Sequence, residues 1–156
     1  MDTAFAEELP CYRRLSDRLV TAGQPTARQI AALAPAGFDV VINLLPERNR
    51  LFLREEKELV HTLGMQYIPI PVVWAKPTLN DLERFFDCLD EYRPRQLFIH
   101  CAENKRVSVF VALYRIHRLG WQPARALREV HRIWQPNTAW MKFIERALQD
   151  AGLATR

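Results

Sequence analysis

A cysteine and an arginine lie five positions apart in a stretch that could bind and attack an oxyanion. Cys101 follows the apolar run 96–99 and His100, and Arg106 precedes an apolar helical pattern that begins at Val107. This order predicts a buried strand, a tight loop and the N-terminus of a helix. Free N–H groups and a positive dipole at such a terminus attract anions and favour a thiolate over a thiol. The stretch therefore has the parts needed for nucleophilic attack on phosphorus or sulfur.

The other residues of the loop can be assigned roles from their chemistry. We expect the anion to be bound by the guanidinium of Arg106 and by the backbone amides of the loop residues Ala102, Glu103, Asn104 and Lys105. Glu103 would repel a phosphate, so it should point outward unless it serves as an acid. Lys105 either lines the site or is solvated, and Arg106 could instead pair with Glu103 or cap carbonyl groups. The interpretation requires amides that curl around the anion and a sulfur that solvent can reach.

Two flanking residues are expected to support the loop. His100 should hydrogen-bond the backbone around Cys101 rather than transfer protons. Ser108 either assists the thiolate as a leaving group or is an ordinary serine in the first turn of a helix. The alternative for Cys101 itself is an ordinary buried cysteine that takes part in no reaction.

These residues resemble the signature loop of cysteine-dependent protein phosphatases of the tyrosine and dual-specificity type. His100 and Cys101 are followed by four residues, then Arg106, and then Ser108 at the position of the usual hydroxyl. The segments 21–26, with its Gly-Gln-Pro, and 37–44 resemble small bacterial phosphatase-like proteins related to the phosphatase-like domain of beta-lactamase-hydrolase-like proteins. The resemblance covers about residues 12–135 and implies a protein-tyrosine-phosphatase-like fold and hydrolysis of phosphate monoesters through a phosphocysteine.

The loop departs from that family pattern in its spacing. The common loop has five residues between Cys and Arg, which would place the arginine at Val107, and it contains a glycine that is absent here. Four intervening residues are also the spacing of rhodanese-type sulfurtransferases, in which Cys101 would carry a persulfide. A sulfurtransferase therefore remains an alternative function.

The general acid for the leaving oxygen is missing from its expected place. The resemblance implies an aspartate near residues 74–77, but that segment contains no carboxylate. Asp81 is the nearest candidate, although it also suits the capping of a helix that starts after Thr78. Glu47 is a more distant option. The absence keeps open a third function, a pseudophosphatase that binds a phosphorylated ligand without cleaving it.

The elements around the loop predict an α/β fold with a mostly parallel central sheet flanked by helices and a three-helix C-terminal segment. Two short extended pieces are predicted within 12–22, and further strands over 38–45, 67–73 and 97–100. Helices are predicted after Thr26, with Gln29 completing a capping box, and over 52–63, 79–89, 107–119, 123–134 and 138–148. Parallel strands end at one edge, so loops 46–50, 73–77 and the Cys101 loop should surround one pocket.

Several side chains outside the Cys101 loop are further candidates. Arg48 and Arg50 could recruit an anion or be solvated, and Trp74 could form a wall of the pocket or pack in the core. Cys11 and Cys88 are expected to be ordinary thiols rather than partners of an oxidised Cys101.

Composition limits the remaining possibilities. The 156 residues predict a single domain, 1–156, in which residues 1–10 show no clear periodicity and should be loosely held. The resemblance implies a phosphorylated protein or small molecule as partner. The net charge of +4 is spread among acids, so we expect no nucleic acid as partner. No apolar run or leader-like segment indicates a membrane, which makes the cytoplasm the expected location. Three cysteines without a metal-binding pattern predict neither a metal nor a cofactor. The oligomeric state is not predicted.

Overall fold

The computed structural model describes residues 8–152, which form a five-stranded sheet and six helices. The strands are β1 (Arg13–Ser16), β2 (Leu19–Ala22), β3 (Val40–Asn43), β4 (Gln66–Pro69) and β5 (Leu97–His100). The helices are α1 (Ala27–Ala31), α2 (Glu56–Thr62), α3 (Leu79–Tyr92), α4 (Lys105–Leu119), α5 (Pro123–His131) and α6 (Thr138–Asp150).

The sheet is parallel except at one edge, as predicted. Its order is β1-β2-β5-β3-β4, and only the β1–β2 pair is antiparallel. All four residues of β3 and of β5 are buried, which is the pattern of central strands covered on both faces. The register sets Ala22 of β2 and Asn43 of β3 beside His100 of β5. The ends of three parallel strands therefore meet where the Cys101 loop begins.

Helices cover both faces of the sheet and bury two hydrophobic layers. The larger layer lies under α3, α4 and the C-terminal helices, where Phe110 of α4 packs on Phe143 and Trp140 of α6. The smaller layer lies under α1 and α2 and includes Phe38 and Phe98 in an edge-to-face pair. A one-residue slip of a central strand would exchange side chains between these two layers, so the packing of both layers opposes a change of register.

Local capping signals set the ends of several helices. The predicted capping box of α1 is confirmed: Thr26 accepts from the Gln29 amide, and Gln29 accepts from the Thr26 amide. Thr78 caps α3 in a similar way through its hydroxyl. Gly120 ends α4 with a positive φ of 74°, which an L side chain rarely adopts.

Some predicted boundaries were wrong. Helix α2 begins at Glu56 rather than 52, and strand β4 ends at Pro69 rather than 73, although the amides of Ile70 and Val72 still donate to the carbonyls of Asn43 and Leu44. The expectation of a loose segment 1–10 falls mostly on residues 1–7, which lie outside the described residues. Of the part that is described, Leu9 is only 4% exposed and packs in the smaller layer. Within residues 8–152, no helix is both long and apolar enough to span a membrane.

Candidate active site

The Cys101 loop is shorter than the sequence suggested, because α4 begins at Lys105 rather than at 107. Asn104 is the residue before the helix, and its φ of 64° places it in the left-handed region. Asparagine is one of the few residues that tolerate this conformation, and it stands in place of the glycine that is missing from the loop. The chain can therefore make the sharp turn from β5 into α4 without a glycine.

The side chain of Asn104 stabilises this turn from inside the protein. It is fully buried, and its Nδ2 donates to the Cys11 carbonyl at 2.8 Å and to Thr21 Oγ1 at 3.0 Å. It forms no cap on the helix it precedes. The first N–H groups of the 15-residue α4 thus have no intrahelical acceptor and no side-chain cap, and they can bind an anion.

Arg106 lies in the first turn of α4, with its guanidinium directed into the protein. The residue is 6% exposed, its Nε has no hydrogen-bond partner among residues 8–152, and the group lies 5.1 Å from the ring centroid of Trp74. Burial lowers the pKa of Arg106. The Cys101 side chain opposes this effect through its charge and through a hydrogen bond with the guanidinium. A buried guanidinium with an unused donor next to a cysteine is suited to binding an oxyanion.

The expectation that solvent reaches the sulfur of Cys101 is wrong for this structure. Cys101 is 0% exposed. The residue follows the last position of a buried central strand, and the guanidinium of Arg106 interacts with its side chain. A reaction at this sulfur therefore requires that the site open when the anion binds.

An open pocket of about 260 Å³ lies beside the loop. It is lined by Asn49, Trp74, Ala102, Glu103, Lys105 and Arg106. The prediction that three strand-end loops surround one pocket is thereby confirmed, because residues of 46–50, of 73–77 and of the Cys101 loop all contribute to its wall. Trp74 forms part of this wall, whereas Arg48 and Arg50 do not line the pocket.

Glu103 and Lys105 are placed at the mouth of the pocket. The Glu103 side chain is 62% exposed, and its Oε1 lies 3.7 Å from Nζ of Lys105. Lys105 Nζ also lies 5.8 Å from the ring centroid of Trp134. The lysine partly neutralises the carboxylate, which reduces the repulsion that Glu103 would exert on an incoming phosphate.

The hydroxyl of Ser108 is used by its own helix. It donates to the Lys105 carbonyl at 2.6 Å and accepts from Trp134 Nε1 at 3.0 Å. These bonds correspond to the ordinary serine of a first helical turn, and they do not support assistance to a leaving thiolate.

Asp81 and Glu47 do not line the pocket. Asp81 is the third residue of α3, and its amide donates to Thr78 Oγ1 at 3.0 Å. Asp81 is therefore not placed to act as the general acid of this pocket; it belongs to the capped first turn of α3. Glu103 is the one carboxylate that lines the pocket within the described residues.

The Gly-Gln segment before α1 packs directly on the Cys101 loop, which sequence reasoning did not foresee. The Gln24 amide donates to the Ala102 carbonyl at 2.9 Å, and Gly23 forms an isolated bridge with Glu103. A Cβ at Gly23 would lie 2.5 Å from the Ala102 oxygen, closer than such atoms can approach. The glycine is needed because two backbones touch, and its occurrence within a Gly-Gln-Pro motif was the available signal.

A buried glutamate, also missed from the sequence, holds His100. Glu56 and His100 have fully buried side chains, and His100 Nε2 lies 2.6 Å from Glu56 Oε2. The other ring nitrogen, Nδ1, is 3.3 Å from the Cys101 carbonyl, so His100 contacts the loop backbone as expected. The predicted amphipathic pattern over 52–63 gave no reason to single out Glu56 from its neighbouring acids.

The remaining cysteines lie outside the pocket wall. Cys11 is exposed, with a φ of 52°, and burial followed by the charge of Glu103 raises the pKa of its thiol. Cys88 is buried in α3. All three cysteines are free thiols.

Comparison with known proteins finds a phosphatase family and a shared fold. The family model described as a DSP-PTPase phosphatase fused to NAD+ kinase matches residues 6–144. No curated protein matches the chain. Among solved structures, a protein described as a phosphatase (DUF442) from Shewanella putrefaciens CN-32 is 26% identical, with a TM-score of 0.85 over 96% of this chain and 99% of that one.

More distant structures share the fold alone. PTPMT1, solved in complex with PI(5)P, is 16% identical, with a TM-score of 0.76 over 91% of this chain and 97% of its own. TpbA from P. aeruginosa, solved in complex with pTyr, is 19% identical, with a TM-score of 0.64 over 94% of this chain and 83% of its own. Because the family model spans most of its length, this chain belongs to the DSP-PTPase family of phosphatases.

Proposed function

We propose that this protein hydrolyses phosphate monoesters, with Cys101 as nucleophile and Arg106 and the N-terminus of α4 as the phosphate site. The observation that carries the proposal is the buried guanidinium of Arg106, whose Nε has no partner among residues 8–152 and which lines the pocket beside Cys101. A buried donor without a partner costs about 1–3 kcal/mol. An oxyanion in the pocket would supply the missing acceptor.

The covered sulfur suits a site that opens as its anion binds. In the free protein the guanidinium of Arg106 interacts with the Cys101 side chain. A phosphate dianion accepts two parallel bonds from a guanidinium and is a stronger partner than a sulfur. Substrate binding is therefore expected to draw the guanidinium onto the phosphate and to bring phosphorus next to the sulfur.

The reaction then proceeds in two displacements. The Cys101 thiolate forms an S–P bond as the ester P–O bond breaks, and the leaving oxygen takes up a proton from solvent water. Water next attacks phosphorus, the S–P bond breaks, and phosphate leaves with the thiolate restored. Arg106 and the first amides of α4 stabilise the equatorial oxygens in both steps.

Protonation of the leaving group limits the choice of substrate. Glu103 is exposed at the mouth of the pocket and paired with Lys105, and no buried carboxylate lines the site within the described residues. Esters whose leaving oxygen needs little protonation should therefore react fastest, and aryl phosphates are such esters. The wall formed by Trp74 suits an aromatic group. PTPMT1 in complex with PI(5)P and TpbA in complex with pTyr provide comparable ligand classes, a phosphorylated lipid headgroup and a phosphorylated phenol.

The test is turnover of an aryl phosphate at mildly acidic pH by the protein, its Cys101→Ser variant and a Cys11→Ser control. We expect activity in the protein and the control and none in Cys101→Ser, together with a phosphoryl adduct on Cys101 in rapidly quenched samples. Turnover that is absent, or equal in all three proteins, would refute the proposal. Binding of phosphotyrosine without turnover would indicate a pseudophosphatase, and cyanide-dependent thiocyanate release from thiosulfate would indicate a sulfurtransferase.

A further inference from the structure

The pair of Glu56 and His100 lies beneath the Cys101 loop and takes no part in binding phosphate in the proposed reaction. Both side chains are 0% exposed, and they come from α2 and β5, 44 positions apart in sequence. A carboxylate without a partner at such a depth would cost several kcal/mol. A glutamate is therefore stable here only because its partners hold it.

The surroundings determine where the protons of His100 lie. Its Nδ1 faces the Cys101 carbonyl, which can only accept a hydrogen bond, so Nδ1 carries a proton. Its Nε2 faces Glu56 Oε2 at 2.6 Å, and the other carboxylate oxygen accepts from Gln24 Nε2 at 2.9 Å. Two acceptor oxygens that are both occupied favour the charged carboxylate, and thus a doubly protonated imidazolium.

This arrangement connects three segments to the reacting residue. Glu56 holds the His100 ring, and the ring holds the carbonyl of Cys101. Gln24 bonds the carboxylate through its side chain and the Ala102 carbonyl through its amide. The chain of contacts fixes the two successive peptide groups that follow the Cys101 side chain and sets a positive charge beneath them.

We propose that Glu56 is a positioning residue for Cys101: it keeps His100 protonated on both nitrogens, and the imidazolium orients the loop and favours the thiolate. The proposal rests on Cys101 being the nucleophile of the proposed phosphatase. It assigns Glu56 no contact with substrate.

Other charged and titratable groups face the same region and have to be controlled in any test. The sulfur is faced by Arg106 from α4, and the loop is surrounded by Glu103, Lys105 and Cys11. Glu56 is faced by Tyr67 of β4, with Glu47 nearby. The pKa of Tyr67 is raised to about 12, mainly by burial, with a smaller contribution from the charge of Glu56. A change in one carboxylate can be separated from these groups only by a variant that leaves all of them in place.

Glu56→Gln is that variant, and Glu55→Gln is its matched control. Glutamine keeps the size and can still bond Nε2, but it removes the charge that holds the second proton. Glu55 is the exposed neighbour before α2 and makes no side-chain cap. The first readout is the ultraviolet absorbance of the Cys101 thiolate against pH, taken as the difference between each protein and the same protein with Cys101→Ser. The second is the pH profile of kcat and KM with an aryl phosphate.

We expect Glu56→Gln to contain about tenfold less thiolate at pH 6 and the acidic limb of its kcat profile to move up by about one pH unit, with KM little changed. Glu55→Gln should match the unaltered protein in both readouts. A lower melting temperature with an unchanged thiolate profile would show a merely structural role and overturn the inference. If Glu56→Gln does not fold, Gln24→Met removes the bond to Oε1 and must shift the thiolate profile in the same direction, or the inference fails. A shifted thiolate profile without turnover in any protein would refute the phosphatase proposal alone.

Discussion

A methyl group added at Gly23 should disturb the Cys101 loop more than any other glycine substitution we can test. The new Cβ would lie 2.5 Å from the Ala102 oxygen and 3.2 Å from the Glu103 Cα. A normal contact requires the two backbones to separate by about 0.9 Å. The Gln24–Ala102 hydrogen bond, now 2.9 Å, would then exceed the length at which such bonds contribute.

The expected cost combines two effects of that separation. Overpacking of a buried contact costs about 1–3 kcal/mol, and loss of a backbone hydrogen bond about 1 kcal/mol. Gly23→Ala should therefore unfold with a free energy about 2–4 kcal/mol lower than the unaltered protein. A displacement of nearly 1 Å at the Cys101 loop can lower the rate of the proposed reaction by about a hundredfold.

The assay is urea denaturation together with kcat/KM for an aryl phosphate, with Gly64→Ala as the control. Gly64 has a φ of 82° and no atom within 4 Å of an added Cβ, so its substitution should cost about 1 kcal/mol through backbone strain alone. Gly64→Ala should lose stability and keep its activity, whereas Gly23→Ala should lose both. Gly23→Ala that keeps both its stability and its activity would refute the contact between the two segments as we describe it.

Three further predictions concern the turn, the guanidinium and alkaline stability. Asn104→Gly should lower the free energy of unfolding by about 2 kcal/mol, because its two side-chain hydrogen bonds are lost. Asn104→Ala should lower it by about 1 kcal/mol more, because alanine resists a φ of 64°. Urea unfolding in which the alanine variant is as stable as the glycine variant, or more stable, would contradict this. Arg106→Lys should weaken inhibition by vanadate at least about tenfold, since lysine cannot form the two parallel bonds, and equal inhibition constants would contradict it. Burial, followed by the charge of Glu91, raises the pKa of the Cys88 thiol from 9.0 to about 11. The folded protein holds this proton more tightly than the unfolded chain, so the associated stability, about 2 kcal/mol, is complete below pH 9 and is lost as the pH approaches 11. Between these pH values the melting temperature of Cys88→Ala should fall less steeply with rising pH than that of the unaltered protein. Parallel curves for the two proteins would count against this assignment.

Local patterns were enough to place the elements around Cys101. The apolar run before it and the helical pattern after Arg106 each depend on residues within a few positions, and so does the capping box at Thr26. The alternation of such segments identified the mostly parallel sheet, and the sheet in turn placed three loops around one pocket. Periodicity and capping act over one or two turns of chain, and these features could therefore be inferred without coordinates.

The tertiary structure alone decided how the loop is held and how open it is. Parallel pairing of β2 with β5 brings Ala22 beside His100, which puts Gly23 against the loop. Folding of α2 onto the sheet brings Glu56 to His100, and packing around the end of β5 buries the sulfur of Cys101. The contacts of Gly23 and Glu56 join residues far apart in sequence, because each depends on strand register or helix packing across the whole domain. The sequence by itself determined which groups could perform the chemistry, and the packing of distant segments determined their positions, partners and exposure.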